Sequence, residues 1–261
     1  MTFPESARVI YEKNPLNLVV CQFRFPPILR IDAEVPATFQ EAIRHAYPLF
    51  EEQRSGEQGI EIPPEISKLM GLELQFGSGK QGYKFSTSED VWQVVLTRDF
   101  LALATTAYKR WEDFKQHLEN PLNVFTEIYK PDYFSRIGLR YRDVIKKTEL
   151  GLKDHEWAEL LQPHIAGELC SPIASSIQKS GRDTLVTLDG GIGQVRIRHG
   201  LPQAKDDSES RYVIDADFFS DEKLEVPHAL ERLDRFNREA GRLFRWCITD
   251  RLHNSLGPRS V

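Results

Sequence analysis

The sequence predicts an α+β fold, an antiparallel sheet with helices packed on one face. Short runs rich in Val, Phe, Tyr and Thr recur between turns bearing Gly, Asp and Ser, as strands of an antiparallel sheet do. A long amphipathic stripe closes the chain. The order strand, helix, several strands and long helix also occurs twice, breaking near Pro131. That order divides the chain into residues 1–131 and 132–261, two sheet-and-helix halves expected to pack as one unit. It fits a pseudo-repeat, but an antiparallel α+β fold also shows such an order without duplication, and no residue-level identity links the halves.

In the first half, residues 18–25 form a strand rich in Val and Phe. Residues 35–52 read as a helix with Phe39, Ala42, Ile43, Ala46 and Tyr47 on one face. Strands are expected at 72–76, 83–87, 91–97 and 101–108, separated by Gly77-Ser78-Gly79, Ser88-Glu89-Asp90 and Asp99. A helix over 111–129 closes the half. Pro121 is expected to break it in two, because proline lacks the N–H that a helix interior needs.

The second half opens with a strand over 133–145 and a short helix over 154–161. Strands follow at 173–179, 184–188, 194–198 and 211–219. Gly190-Gly191-Ile192-Gly193 lies between two of them and reads as a hairpin turn; a phosphate loop would lead into a helix. Over 226–256, Leu230, Leu233, Phe236, Ala240, Leu243, Phe244, Cys247 and Ile248 recur at three- and four-residue steps, the stripe a helix lays on a sheet. The Gly- and Pro-bearing segments 53–64 and 199–210 read as surface loops.

The chain has 261 residues, and its 40% hydrophobic content suffices for a sizeable core. A net charge of −5 argues against wholesale binding to nucleic acid or an anionic membrane. Cys21, Cys170 and Cys247 are too far apart to suggest a disulfide framework or a zinc cluster, which fits a reducing cytosol. No stretch approaches the ~20 apolar residues that span a bilayer, and residues 1–13 lack the apolar segment of a secretory signal. The expectation is a cytoplasmic protein.

The sharpest local feature is the arginine alternation after Pro131. As a strand, residues 133–145 place Tyr133, Ile137, Leu139 and Tyr141 on one face and Arg136, Arg140 and Arg142 on the other, with Gly138 between them. Guanidinium forks suit phosphate or carboxylate, and the glycine allows close approach. Gln22 and Arg24 extend a polar side into the first half, and Gln93 lies between Trp92 and Val94. The competing reading is internal pairing: Asp215 and Asp217 share one strand face, and so do Gln194, Arg196 and Arg198.

Signatures of catalysis do not emerge. The seven histidines form no HExxH and no close cluster with cysteine, and there is no GxSxG. Neither a metal nor a cofactor is expected, and the balance leans away from an enzyme. The leading expectation is a binding or partner-recognition protein that uses Arg24, Arg136, Arg140 and Arg142. The alternative is an enzyme or sensor clamping a phosphorylated small molecule or nucleotide in an arginine-lined pocket, with Asp215 or Asp143 assisting.

Several stretches together resemble a sporadically distributed family of uncharacterised bacterial proteins of similar length. They are Tyr11 with Asn14-Pro15-Leu16, residues 19–25, residues 92–108 running into Trp111-Glu112-Asp113-Phe114, Arg136-Ile137-Gly138-Leu139-Arg140-Tyr141, and Phe244 with Ile248-Thr249-Asp250. The resemblance spans nearly the whole chain. It implies no activity, cofactor or site residue. The family's scattered occurrence resembles that of genes in mobile or phage-defence loci. Apart from the resemblance, the expected partner is another protein, for which one encoded nearby is a candidate, with a phosphorylated small molecule as the alternative and nucleic acid disfavoured. Homo-oligomerisation stays open.

Overall fold

The structure is a computed structural model that describes residues 2–54, 81–202 and 210–261. Its strands are β1 (Val9–Tyr11), β2 (Leu16–Arg24), β3 (Leu49–Arg54), β4 (Gln81–Ser86), β5 (Trp92–Thr97), β6 (Phe100–Thr105), β7 (Arg136–Lys146), β8 (Ser180–Leu188), β9 (Gly193–Leu201), β10 (Arg211–Ser220) and β11 (Pro258–Ser260). The α-helices are α1 (Arg30–Ala33), α2 (Ala37–Ile43), α3 (Trp111–Tyr129), α4 (Trp157–Leu160), α5 (Pro163–Ala166), α6 (Ala229–Cys247) and α7 (Asp250–Ser255). The strand expected at 72–76, its Gly77-Ser78-Gly79 turn and most of the two expected surface loops lie outside the described residues.

Nine strands form one antiparallel sheet in the order β3-β4-β5-β6-β2-β7-β10-β9-β8, and β1 pairs with β11 in a separate two-stranded sheet. The fold is α+β, as the alternation of strand and helix signals predicts. β2 and β7 lie side by side at the centre, with Cys21 opposite Leu139 and Arg24 opposite Arg136. Within the large sheet, β6 pairs on the outer side of β2 and β10 on the outer side of β7.

The residue alternation sets what each face does. Cys21 and Phe23 of β2, Leu139 of β7 and Phe218 of β10 point into the main core, where α3 contributes Phe114 and Phe125 and α6 contributes Leu233, Phe236 and Leu243. On the opposite face of the first half, Leu18, Val20, Val95, Phe100, Ala102 and Ala104 form a second buried cluster. Gln22 and Gln93 are buried there as well, so the polar side expected in this half is not a solvated surface. Around β7, β10 and β9 the burial alternates, leaving one face partly exposed.

Four elements depart from expectation. The helix expected over 35–52 is only α2, because Pro48 cannot continue a helix, and the chain turns into edge strand β3. Phe39, Ile43 and Tyr47 are buried as predicted, whereas Ala42 is exposed. α3 runs unbroken through Pro121. The His117 carbonyl, four residues earlier, loses its helical donor to proline and instead accepts from the Tyr47 hydroxyl at 3.0 Å. Residues 173–179 form no strand. Ser171 and Pro172 open a short 3-10 stretch at Ala174–Ser176, and Ile173 is 61% exposed.

The stripe at 226–256 divides as well. Ile248 is extended, its carbonyl accepts from Gln162 Nε2, and it bridges Leu161; Thr249 then caps α7 by accepting from the Leu252 amide. The Gly190-Gly191 turn joins β8 to β9, in agreement with the hairpin expectation. No helix among the described residues is long and apolar enough to cross a membrane.

Phe236 is fully buried in α6 and packs 6.2 Å from the Phe218 ring of β10. Truncating Phe236 to Ala is expected to cost about 3–5 kcal/mol, measured by urea unfolding, because it removes core contacts and leaves a cavity. Wild-type-like unfolding would contradict the packing of α6 on the sheet.

Candidate functional site

The strand pairing brings the four arginines singled out from the sequence onto one face. Arg24 and Arg136 are direct cross-strand neighbours, and Arg140 and Arg142 continue the row along β7. The next strand, β10, places Asp215 opposite Arg142 and Asp217 opposite Arg140. Beyond it, β9 places Arg198 opposite Asp215 and Arg196 opposite Asp217. The result is a lattice of alternating charge three strands wide, with Asp183 of β8 at its outer margin.

Its inner part is tightly paired. Arg140 holds Asp215 in a two-pronged contact, Nε donating to Oδ1 at 2.6 Å and Nη2 to Oδ2 at 2.5 Å. The two side chains are only 12% and 13% exposed, so this pair is desolvated far more than an ordinary surface bridge. Arg136 donates to Asp217 at 3.1 Å, lies 3.3 Å from Asp221, and sits over the Phe219 ring. Burial raises the Asp217 carboxyl above its ordinary range, opposed by the charges of Arg136 and Arg140. Gly138 is where the Arg136 guanidinium crosses the strand, since a Cβ there would lie 2.5 Å from Nη1.

The outer part is open. Arg24 is exposed, and its Nε donates to Gln22 Oε1 at 3.1 Å. Arg196 and Arg198 share Asp183, at 2.6 Å and 3.5 Å, and all three are nearly half exposed. The paired arginines hold the Asp183 carboxyl below its ordinary range. Leu185 stands 57% exposed on β8, one of the two edge strands of the sheet. Pairing of Arg136 and Arg140 with Asp217 and Asp215 follows from alternation on two adjacent strands. The sharing of Asp183 by Arg196 and Arg198 could be found only once β8 was placed beside β9.

A second constellation lies on the helix-covered side. A cavity of about 500 Å³, open to solvent on one side, is lined by residues 6–11, the end of β7, the start of α3 and one side of α6. The N-terminal segment is tied across it by β1–β11 pairing and by Arg8 Nη2, which contacts both Glu112 carboxylate oxygens at 2.7 Å. Tyr11, Tyr108, Trp111, Tyr141 and Phe244 supply aromatic walls. The Tyr141 hydroxyl donates to Asn237 Oδ1 at 2.9 Å, and Trp111 Nε1 donates to Asp234 Oδ1 at 2.6 Å.

Asp143 lines this cavity while only 6% exposed. Burial, with the nearby Asp215 charge, pushes its carboxyl well above the ordinary carboxylate range. Among the described residues no hydrogen bond or ion pair reaches that carboxyl. Burial also pushes the Tyr11 hydroxyl up to about 12, and raises Tyr141 and Cys247. The sequence offered one signal for Asp143: it is the single acidic residue on the otherwise apolar face of the β7 alternation.

No protein-family model and no curated protein matches the chain. A substrate-free structure of the duplicated taurocyamine kinase from Schistosoma mansoni is similar over 93% of this chain and 36% of that one, at 8% identity and a TM-score of 0.38. A likeness this weak carries no argument about function, and this chain spans about a third of that protein.

The titratable groups around Asp143 are Asp215 on β10, Tyr11 on β1, Tyr141 on β7 and Cys247 on α6. Its folded-state pKa is raised above the ~3.9 of an unfolded chain. Its contribution to stability is therefore full below about pH 4 and is lost as pH rises through the folded-state value. Asp143→Asn removes that loss. Urea unfolding should show the variant gaining on the wild type as pH rises above about 4. A difference independent of pH would contradict the buried neutral acid.

Proposed function

We propose that the protein is a cytoplasmic binding protein that recognises a protein partner through the face carried by β7, β10, β9 and β8. The partner is proposed to present an extended, carboxylate-bearing segment. The observation that carries this reading is the graded charge lattice, locked at Arg140–Asp215 and open at Arg196, Arg198 and Leu185. The locked pairs hold the face in one arrangement, and the open margin offers cations and apolar area next to an edge strand. Edge strands pair readily with an added strand, whose main chain supplies affinity and whose side chains supply register. Arg196 and Arg198 share one carboxylate, which leaves excess positive charge for an acidic partner.

Arg24, Arg136, Arg140 and Arg142 then divide between two tasks. Arg136, Arg140 and Arg142, the last directly opposite Asp215, belong to the lattice, whereas the exposed Arg24, on β2 beside it, meets the partner. A phosphate clamp made of these same four residues draws less support, because the forks of Arg136 and Arg140 are already engaged by aspartates.

Native mass spectrometry with cross-linking tests the reading, using the protein co-expressed with its gene neighbours. A bound neighbour should cross-link to β8 and β9, and the R196Q/R198Q variant, which removes the two cations without setting new carboxylates against Asp183, Asp215 and Asp217, should release it while remaining folded. A neighbour that stays bound to the folded double variant, or cross-links only elsewhere, would overturn it.

A further inference from the structure

The geometry points to the cavity between α6, β7 and the N-terminal segment as a binding site for a nucleoside monophosphate, its base held among the tyrosines against Asp143 and its phosphate at the arginine rim. This site faces away from the charge lattice, since Tyr141 and Asp143 alternate with Arg140 and Arg142 along β7. It stands or falls separately from the partner-recognition reading.

Three features select the ligand class. The volume of about 500 Å³ falls in the range of small-molecule sites. Rings from three different elements line it: Tyr108 stands edge-on to Tyr141 with centroids 5.7 Å apart, Trp111 opens α3, and Phe244 comes from α6. Such walls take a flat ring by stacking. At the inner end Asp143 is buried with no partner among the described residues. A buried carboxyl in its neutral form both donates and accepts, which matches the adjacent donor and acceptor on the edge of a nucleobase. A purely apolar ligand would leave it unpaired.

The rim has the opposite character. Arg8, Arg110, Arg238, Arg242 and Arg245 all border the cavity. Four are bound to carboxylates: Arg8 to Glu112, Arg110 to Asp113, Arg242 to Glu239 and Arg245 to Asp250. Arg238 is exposed and has no ion-pair partner among the described residues. An unengaged guanidinium beside four anchored ones suits a phosphate dianion.

Gly241 is the third element. It sits inside α6, where glycine weakens a helix relative to alanine, and it lines the cavity. A Cβ placed there would meet nothing within 4 Å. A side chain added at this position therefore starts in open space at the cavity wall.

The test is isothermal titration calorimetry with AMP, GMP, CMP and UMP, the corresponding nucleosides, and inorganic phosphate. At least one monophosphate should bind more tightly than its nucleoside and than phosphate alone. Gly241→Leu should weaken it by at least about tenfold, a change of ~1.4 kcal/mol in binding free energy. Arg238→Glu, on the exposed rim, should weaken the monophosphate similarly and leave the nucleoside unchanged; it keeps the test decisive if the Leu variant fails to fold. Absence of binding by all four monophosphates at millimolar concentration would overturn the assignment. So would phosphate binding as tightly as any nucleotide, or affinity unchanged in a folded Gly241→Leu protein.

Discussion

The antiparallel ladder between β2 and β7 is the contact on which the remainder of the structure depends. It joins the four strands β3–β6 to the three strands β8–β10 and makes one sheet of segments more than 100 residues apart in sequence. Its side chains act on both faces at once. Cys21, Phe23, Ile137 and Leu139 are sealed beneath the helices, whereas Arg24, Arg136 and Arg140 stand on the far side. A slip of one residue would drive guanidinium groups into the apolar core, so the alternation fixes the register.

The same register builds both candidate sites. On one face it sets the arginines of β7 against the aspartates of β10, and the ladder from β10 to β9 repeats the match with opposite sign. On the other face it brings Tyr141 and Asp143 under α6, where the N-terminal segment closes the cavity. Asp143 and Arg142 are adjacent in sequence yet serve opposite sides of the sheet. The desolvation that raises the Asp143 carboxyl comes from helix and N-terminal segment together, so its chemistry belongs to the assembled fold and not to β7 alone.

Much of this was legible in the sequence because it rests on short-range periodicity. The strands with clear alternation, β2, β5, β7, β9 and β10, emerge within a few residues of their predicted places, and of the expected stripe Leu233, Phe236, Leu243 and Cys247 are buried in α6, with Leu230, Ala240 and Phe244 partly buried beside them. The misses occur where a long-range partner decides the local outcome. α3 survives Pro121 because Tyr47, distant in sequence, satisfies the His117 carbonyl. The helix expected after Val35 gives way to β3 because Pro48 precedes a run that finds β4 as its neighbour. Ile248 leaves the helix because Gln162 and Leu161 capture it. The arginine row was readable from spacing, but the cavity was not: its walls come from four separated segments, and no local pattern marks Arg238 or Gly241 as its neighbours.

If the β2–β7 ladder governs the fold, the two halves of the sheet unfold together. Native-state hydrogen exchange across a denaturant series measures this directly. The account predicts that amides of β5 and β6 on one side, and of β9 and β10 on the other, converge on one opening free energy shared with β2 and β7. Exchange of β9 and β10 at a distinctly lower free energy, with β5 and β6 still protected, would show two separable units and contradict it.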